Sequence, residues 1–372
     1  MPRALRAPWS CRRMAMSNAW LSACGRRWSV QVFEPVGHAG AVRSLWHAAE
    51  VGRLPHALCF EGPEGIGKFR AALWFAAGLL CSEGPGEPCG ACGPCKRVSS
   101  GGAGGNHPDL LVIDPIEEGE ERIRIASIAE RSDSGGESDR SLESFLDLRA
   151  MEGGYRPVVV REAQRMNVAA QNALLKTLEE PRPGTLLVLE THRPELLLET
   201  IRSRVARLRF TALEAEACAA LLVEKGLARE VALELTRASN GSPGRALWLS
   251  EKGALLAREI LWDVARGVTS PVRASRLLWE LEGRFAGKTP AAKARERVRL
   301  GLDLALELCR ERLAFQSGIP PEELAAGATI ASLPPVSRLE EGLEKLMECR
   351  ADVDRNLGPE AILDRALLVL RP

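Results

Sequence analysis

A chain of 372 residues is long enough for two or three domains, each with its own core. Its 45% apolar and 27% charged content is that of a globular protein, and 50 basic against 49 acidic side chains leave no global basic field for gripping nucleic acid. No uncharged apolar run reaches the ~18 residues that span a bilayer, and ten cysteines are too few for a disulfide scaffold in a chain this long.

Residues 1–28 are rich in arginine and free of acid, without a sustained apolar segment ahead of a small-residue cleavage site. We expect an extension outside the fold, either disordered or an over-long start, since Met14 and Met16 follow closely. From about Val30 the chain becomes regular. Ala57-Leu58-Cys59-Phe60 predicts a buried strand, and Lys68 to Leu80 carries Ala71, Leu73, Trp74, Ala77 and Leu80 on a helical period.

Between that strand and helix, Gly62-Pro63-Glu64-Gly65-Ile66-Gly67-Lys68 fits the phosphate-loop pattern G-x-x-x-x-G-K. Gly62, Gly65, Gly67 and Lys68 are the candidate phosphate-binding residues, with loop amides and the lysine facing the anion. The next residue is Phe69, where a working loop carries Ser or Thr to hold Mg²⁺. Phenylalanine offers a metal no oxygen. ATP or ADP binding therefore stays open, and Mg²⁺ is not expected.

Four cysteines follow in the spacing Cys81-x7-Cys89-x2-Cys92-x2-Cys95, with Gly90 and Gly93 placed where a tight knuckle needs conformational freedom. Four thiolates saturate a tetrahedral Zn²⁺, so the expected site is structural and belongs in a reducing cytoplasm. His107-Pro108-Asp109 then turns the chain into Leu110-Leu111-Val112-Ile113, a short buried strand. The polar stretch from Arg131 to Glu143 reads as a mobile surface insertion.

Val158-Val159-Val160 and Leu186-Leu187-Val188-Leu189 complete a set of parallel strands, which with the helices between them predicts an α/β sheet. An acidic metal ligand should end one of these strands, yet the residue after Val160 is Arg161, with Glu162 behind it. A helix is expected from Asn167, its N-cap, to Glu180, with Pro181 the stop. Its last turn holds Glu179 and Glu180, where the helix dipole disfavours anions. Thr200-Ile201-Arg202-Ser203-Arg204 precedes the last strand and reads either as a solvated basic turn or as an arginine finger for a neighbour's nucleotide. After Phe210 the pattern is helical, broken at Gly241-Ser242-Pro243-Gly244 and near Thr269–Pro271, Lys288–Pro290, Gly318–Pro321 and Pro334–Pro335.

From Phe33 to the C-terminus these strings together resemble the clamp-loader branch of the AAA+ ATPases. The carriers are Phe33-Glu34-Pro35-Val36-Gly37-His38, Leu54-Pro55-His56-Ala57, the phosphate loop, the cysteine quartet, His107-Pro108-Asp109, Asn172 to Pro181, Ser203-Arg204, Gly241 to Arg245 and Arg355-Asn356-Leu357-Gly358-Pro359. Within that branch the chain is most similar to the delta-prime family of bacterial DNA polymerase III. The motor members, gamma and tau, keep an intact loop and the acidic ligand, where this chain has Phe69 and Arg161, and Gly244 replaces the motor's lid arginine. Val205 departs from the family's usual Cys after Ser-Arg.

The resemblance implies an α/β AAA+ phosphate-loop domain over 29–210 with an inserted zinc module at 81–95, a small helical lid over 211–252 and an all-α C-terminal collar over 253–372. It implies a non-hydrolysing subunit of a hetero-pentameric loader that places the sliding clamp on primed DNA. Gamma/tau and delta would be its partners, and Arg204 would serve in trans as the arginine finger. A cytoplasmic setting without a membrane follows. The alternatives are an active gamma/tau-like ATPase and a zinc-dependent DNA-binding module.

Overall fold

The structure is a computed structural model that describes residues 34–100, 106–118, 120, 122–129, 141–152, 154–281, 285, 289–318, 335–353 and 358–371. The extension 1–28, Phe33, most of the polar stretch after Arg131 and Arg355-Asn356-Leu357 lie outside the described residues. The chain forms two compact units. One comprises Met1–Pro35, Ala39–Phe60 and Phe69–Leu208; the other comprises Val36–His38, Glu61–Lys68 and Arg209–Pro372.

The first unit is a five-stranded sheet with helices. Its strands are β1 (Ala57–Glu61), β2 (Leu111–Ile113), β3 (Arg156–Val160), β4 (Thr185–Thr191) and β5 (Ala206–Arg209), in the order β2-β3-β4-β1-β5. β2 and β3 pair in parallel with Val112 opposite Val159, and β3 and β4 with Val159 opposite Val188. Every residue of β1, β3 and β4 is buried. Strands covered on both faces read as unbroken apolar runs, which is why they are visible in the sequence.

On one face Val158, Val160, Leu187 and Leu189 pack with Leu174 and Leu178 and with Ile201. Leu174 and Leu178 belong to the helix that runs Val168–Glu179. Asn167 caps that helix as expected, accepting from Ala170 N at 2.8 Å. Elsewhere, Trp46 on the helix α1 (Ala39–Glu50) meets Trp74 on α2 (Lys68–Leu79) with ring centroids 4.4 Å apart, and its Nε1 donates to Phe75 O. Among the other helices that precede β3 are α3 (Gly93–Ser99) and α4 (Leu142–Asp147), the latter capped by Ser141. The polar stretch thus ends inside a helix, because Leu142 is fully buried. The Val168–Glu179 helix is α5, and a single turn, α6 (Glu199–Arg202), leads to β5.

In its described residues the second unit is helical beyond β5. The helices are α7 (Ala215–Glu224), α8 (Arg229–Ala238), α9 (Pro243–Glu251), α10 (Ala254–Ala265), α11 (Pro271–Glu280), α12 (Pro290–Gln316), α13 (Val336–Asp352) and α14 (Pro359–Val369). One apolar core runs through them, from Leu222 and Leu235 to Leu304, Leu346 and Leu367. Acids along α12 hold cations of the preceding segments: Glu296 pairs with Lys252, Glu307 with Arg245, and Glu311 with Arg258, whose Nη2 reaches both carboxylate oxygens at 2.7 and 2.8 Å. Burial pushes the Glu307 and Glu311 carboxyls above the usual range, and the partner arginines oppose that shift. Among the described residues, no helix is long and apolar enough to cross a membrane.

Candidate functional site

The phosphate loop has the backbone its glycines predict. Gly62, Gly65 and Gly67 all have positive φ, and a Cβ at Gly62 would fall 2.2 Å from Phe210 O. Three carbonyls of the loop accept hydrogen bonds from within the chain. Lys68 is buried, and its Nζ donates to Pro63 O at 2.8 Å. Ser242 Oγ donates to Glu64 O at 2.6 Å, and Gly244 N donates to Gly65 O at 2.8 Å. An N-terminal amide of α9, which could have faced an anion, is thereby spent on a loop carbonyl. A Cβ on Gly244 would sit 2.7 Å from Gly65 O. Position 244 therefore has no room for any side chain.

Two residues that depart from a metal site, Phe69 and Arg161, touch each other. The Arg161 guanidinium stacks over the Phe69 ring at 4.7 Å from its centroid. Arg161 Nη1 also pairs with Asp114 Oδ2 at 2.8 Å, and the Asp114 side chain is only 4% exposed. Asp114 directly follows β2, whose neighbour is β3, so the sheet order brings it beside Arg161. Sequence reasoning missed Asp114, although an acid straight after an apolar run was a usable signal.

Glu162, the remaining acid, has a left-handed backbone with φ of 53°. Its Oε2 accepts from Gln164 Nε2 at 2.6 Å, and His192 Nδ1 and Arg165 Nε lie 3.5 Å away. Burial acts to raise its pKa, but His192, Arg165 and Arg161 outweigh it and hold the carboxyl below the usual range. Glu162 is thus an ionised acceptor within a polar cluster. His192 and Gln164 were not singled out in the sequence, where neither belongs to a recognisable pattern.

The cysteine quartet converges. The Sγ atoms of Cys81, Cys89, Cys92 and Cys95 all lie within 4.8 Å of one another, with Cys81 and Cys92 at 3.9 Å. Tetrahedral zinc with Zn–S of about 2.3 Å has S···S edges of about 3.8 Å, so the set fits a four-thiolate zinc site. Cys92 caps α3, accepting from Cys95 N, and Pro94 opens the helix. Gly90 has φ of 70° as the spacing suggests. Gly93 instead begins α3, where no positive φ is needed. Burial opposes ionisation of Cys92, yet backbone hydrogen bonds at Ser82 and Cys95 help bring its thiol down to about 6, while burial pushes Cys95 up. Binding a divalent cation here would require the four thiols in their thiolate form.

Arg204 lies on a short, well-anchored turn. Its backbone N–H donates to Ile201 O, and buried Ile201 and Val205 hold the turn on either side of it. Val205 fills this place as a buried apolar side chain. Arg204 Nη1 donates to Thr200 O at 3.0 Å, and Nη2 pairs with Glu179 Oε1 at 2.9 Å. That contact accounts for one of the two acids at the wrong end of α5. Buried Gln171, also on α5, fixes the approach to this turn: its Oε1 accepts from Leu198 N, and its Nε2 donates to Leu196 O.

Known proteins resemble this chain in sequence and fold. The family model described as "DNA polymerase III, delta subunit" matches residues 37–214. The delta' subunit of DNA polymerase III from Bacillus subtilis (strain 168) is 32% identical over 282 residues, covering 74% of this chain and 77% of that one. The Pseudomonas aeruginosa delta' subunit is 39% identical over 216 residues, covering 57% and 60% respectively. Among solved structures, a DNA polymerase III gamma subunit-related protein of Thermotoga maritima covers 89% of this chain and 98% of its own, with a TM-score of 0.50 at 18% identity. That likeness speaks to the fold alone, an α/β unit with a phosphate loop and a helical unit. On sequence and fold together, the chain belongs to the delta' family of DNA polymerase III clamp-loader subunits.

Proposed function

We propose that this chain is a non-hydrolysing clamp-loader subunit that contributes Arg204 to the ATP site of an adjacent motor subunit. The observation that carries the first half is the stack of Phe69 on Arg161, anchored by Asp114. Residues that would hold a metal ion are replaced by a cation on an aromatic face, and no nucleotide chemistry of the phosphoryl-transfer kind proceeds without charge neutralisation. The closed loop, with Lys68, Ser242 and Gly244 bonded to loop carbonyls, supports the same reading. The second half rests on an exposed guanidinium held on a rigid turn. In this reading residues 29–210 form the nucleotide-binding-like domain, 211–252 the lid and 253–372 the collar. The partners are gamma/tau and delta in a hetero-pentamer, acting on the sliding clamp and on primed DNA in the cytoplasm.

The test uses the chain alone and in company. Alone, with ATP and Mg²⁺, it is expected to show no turnover above background. Mixed with gamma/tau and delta it is expected to co-elute as one complex with DNA-stimulated turnover. Hydrolysis by the isolated chain would sink the non-motor reading and restore the active-ATPase alternative.

The cysteine quartet supports a structural zinc ion held by Cys81, Cys89, Cys92 and Cys95, with no open position for a substrate. Metal released on denaturation is expected to be one zinc per chain. Cys95→Ser removes a buried ligand and is expected to lose most of it. Full zinc content in that variant would refute the assignment.

A further inference from the structure

Glu179 ends α5, where the exposed carbonyls of the last turn disfavour a carboxylate. Its partner Arg204 is 39% exposed and Glu179 itself 53%, so the ion pair is screened by solvent and adds little to stability. The two effects are of similar size and opposite sign, which leaves Glu179 without a stability role. What the contact does accomplish is geometric. Arg204 is tied at Nη2 by Glu179 and at Nη1 by Thr200 O, with Ser203 Oγ a further 3.5 Å acceptor for Nη1. These contacts leave Nε and the second hydrogen of Nη2 for an external acceptor.

Resting on the finger reading above, we propose that Glu179 is a positioning residue for Arg204, fixing its guanidinium before a phosphate of the neighbouring subunit arrives. An exposed arginine otherwise spends its time among many rotamers, and ordering it at the moment of reaction would raise the barrier. The anchors come from two elements of the same unit, the end of α5 and the α6 turn, so the guanidinium is referenced to rigid secondary structure rather than to its own flexible stem. The α6 anchor is a main-chain carbonyl that no substitution removes. Glu179 is therefore the point at which the pose can be varied.

The test compares Glu179→Ala, Glu179→Gln, Arg204→Ala and the Glu179→Ala/Arg204→Ala double variant in the reconstituted loader, following DNA-stimulated ATP turnover and complex formation by gel filtration. Glu179→Ala is expected to lower kcat at the dependent site by roughly 10-fold, with KM for ATP unchanged and the complex intact. Glu179→Gln, which keeps an acceptor but not the charge, is expected to fall between Glu179→Ala and wild type. The double variant is expected to be no worse than Arg204→Ala alone. If Arg204→Ala lowers turnover while Glu179→Ala leaves it unchanged or raises it, the positioning role is overturned and the finger stands. If Arg204→Ala itself changes nothing, the finger reading fails and takes this proposal with it.

Discussion

Arg161→Asp, which writes the missing acidic ligand back into the sequence, is expected to destabilise the protein strongly and to restore no turnover. Asp114 is 4% exposed at its side chain and Arg161 30%, so the pair is sheltered enough for its loss to matter. Removing one partner of a buried pair costs about 3–5 kcal/mol, and the partial exposure of Arg161 argues for the lower end. The new carboxylate adds repulsion against Asp114, about 3 kcal/mol at ~6 Å with an effective dielectric of about 20. Against a typical stability of ~5–15 kcal/mol this is severe. Arg161→Met separates the two contributions, since it removes the guanidinium without adding charge. Urea unfolding of the three proteins should rank wild type above Arg161→Met above Arg161→Asp. The double variant Phe69→Thr/Arg161→Asp is expected to remain inactive, because Lys68, Ser242 and Gly244 still close the loop. An unchanged urea midpoint in Arg161→Asp would show that the stack is incidental to stability, and Mg²⁺-dependent hydrolysis by the double variant would show that the loop contacts do not by themselves block turnover.

What the sequence revealed here depended on whether each feature had a local signature. β3 and β4 are buried along their whole length and appear as apolar runs. The cysteine quartet and the phosphate loop were legible because spacing alone encodes them. Phe69 and Arg161 were visible as two separate departures from one pattern. That they touch was not, because no local pattern links them; the contact depends on how α2 and β3 pack. Asp114 was hidden for a related reason, since its meaning depends on β2 lying beside β3.

The misfits were more informative than the matches. Two glutamates at the end of α5 contradicted the helix dipole, and the contradiction pointed to a contact beyond the helix, which for Glu179 is Arg204. Gly244 was read as a lost arginine. Its neighbour across the loop, Gly65, lies 179 residues earlier, and only the fold shows that the two backbones are too close for a side chain at either position. Exposed charged residues have no periodic signature, so ion pairs such as Arg204–Glu179 emerge only from the tertiary structure. The Gly93 expectation failed more simply, because a C-x-x-C spacing does not say which glycine bends the knuckle and which starts the helix.

Arg204→Ala is expected to have the largest effect on activity while leaving the fold nearly untouched. A guanidinium supplied in trans to a transferring phosphoryl group accounts for about 10³–10⁵ in rate, or ~4–7 kcal/mol of transition-state stabilisation. The structural cost is small by comparison. Arg204 is partly exposed, its ion pair with Glu179 is solvent-screened and is worth at most about 1 kcal/mol, and the turn beneath it is held by Ile201 and Val205. Assembly with gamma/tau and delta should therefore persist. On the proposed reading the complex holds further motor sites, and only the one facing Arg204 loses its finger. Steady-state turnover should fall by that site's share, and single-turnover hydrolysis should split into a normal phase and a phase slower by on the order of 10³ or more. Arg204→Lys should recover little, since an ammonium keeps the charge but cannot engage two oxygens through a planar fork. A purely electrostatic role would instead be rescued by lysine. A single unslowed phase in Arg204→Ala would mean that this arginine serves its own subunit alone.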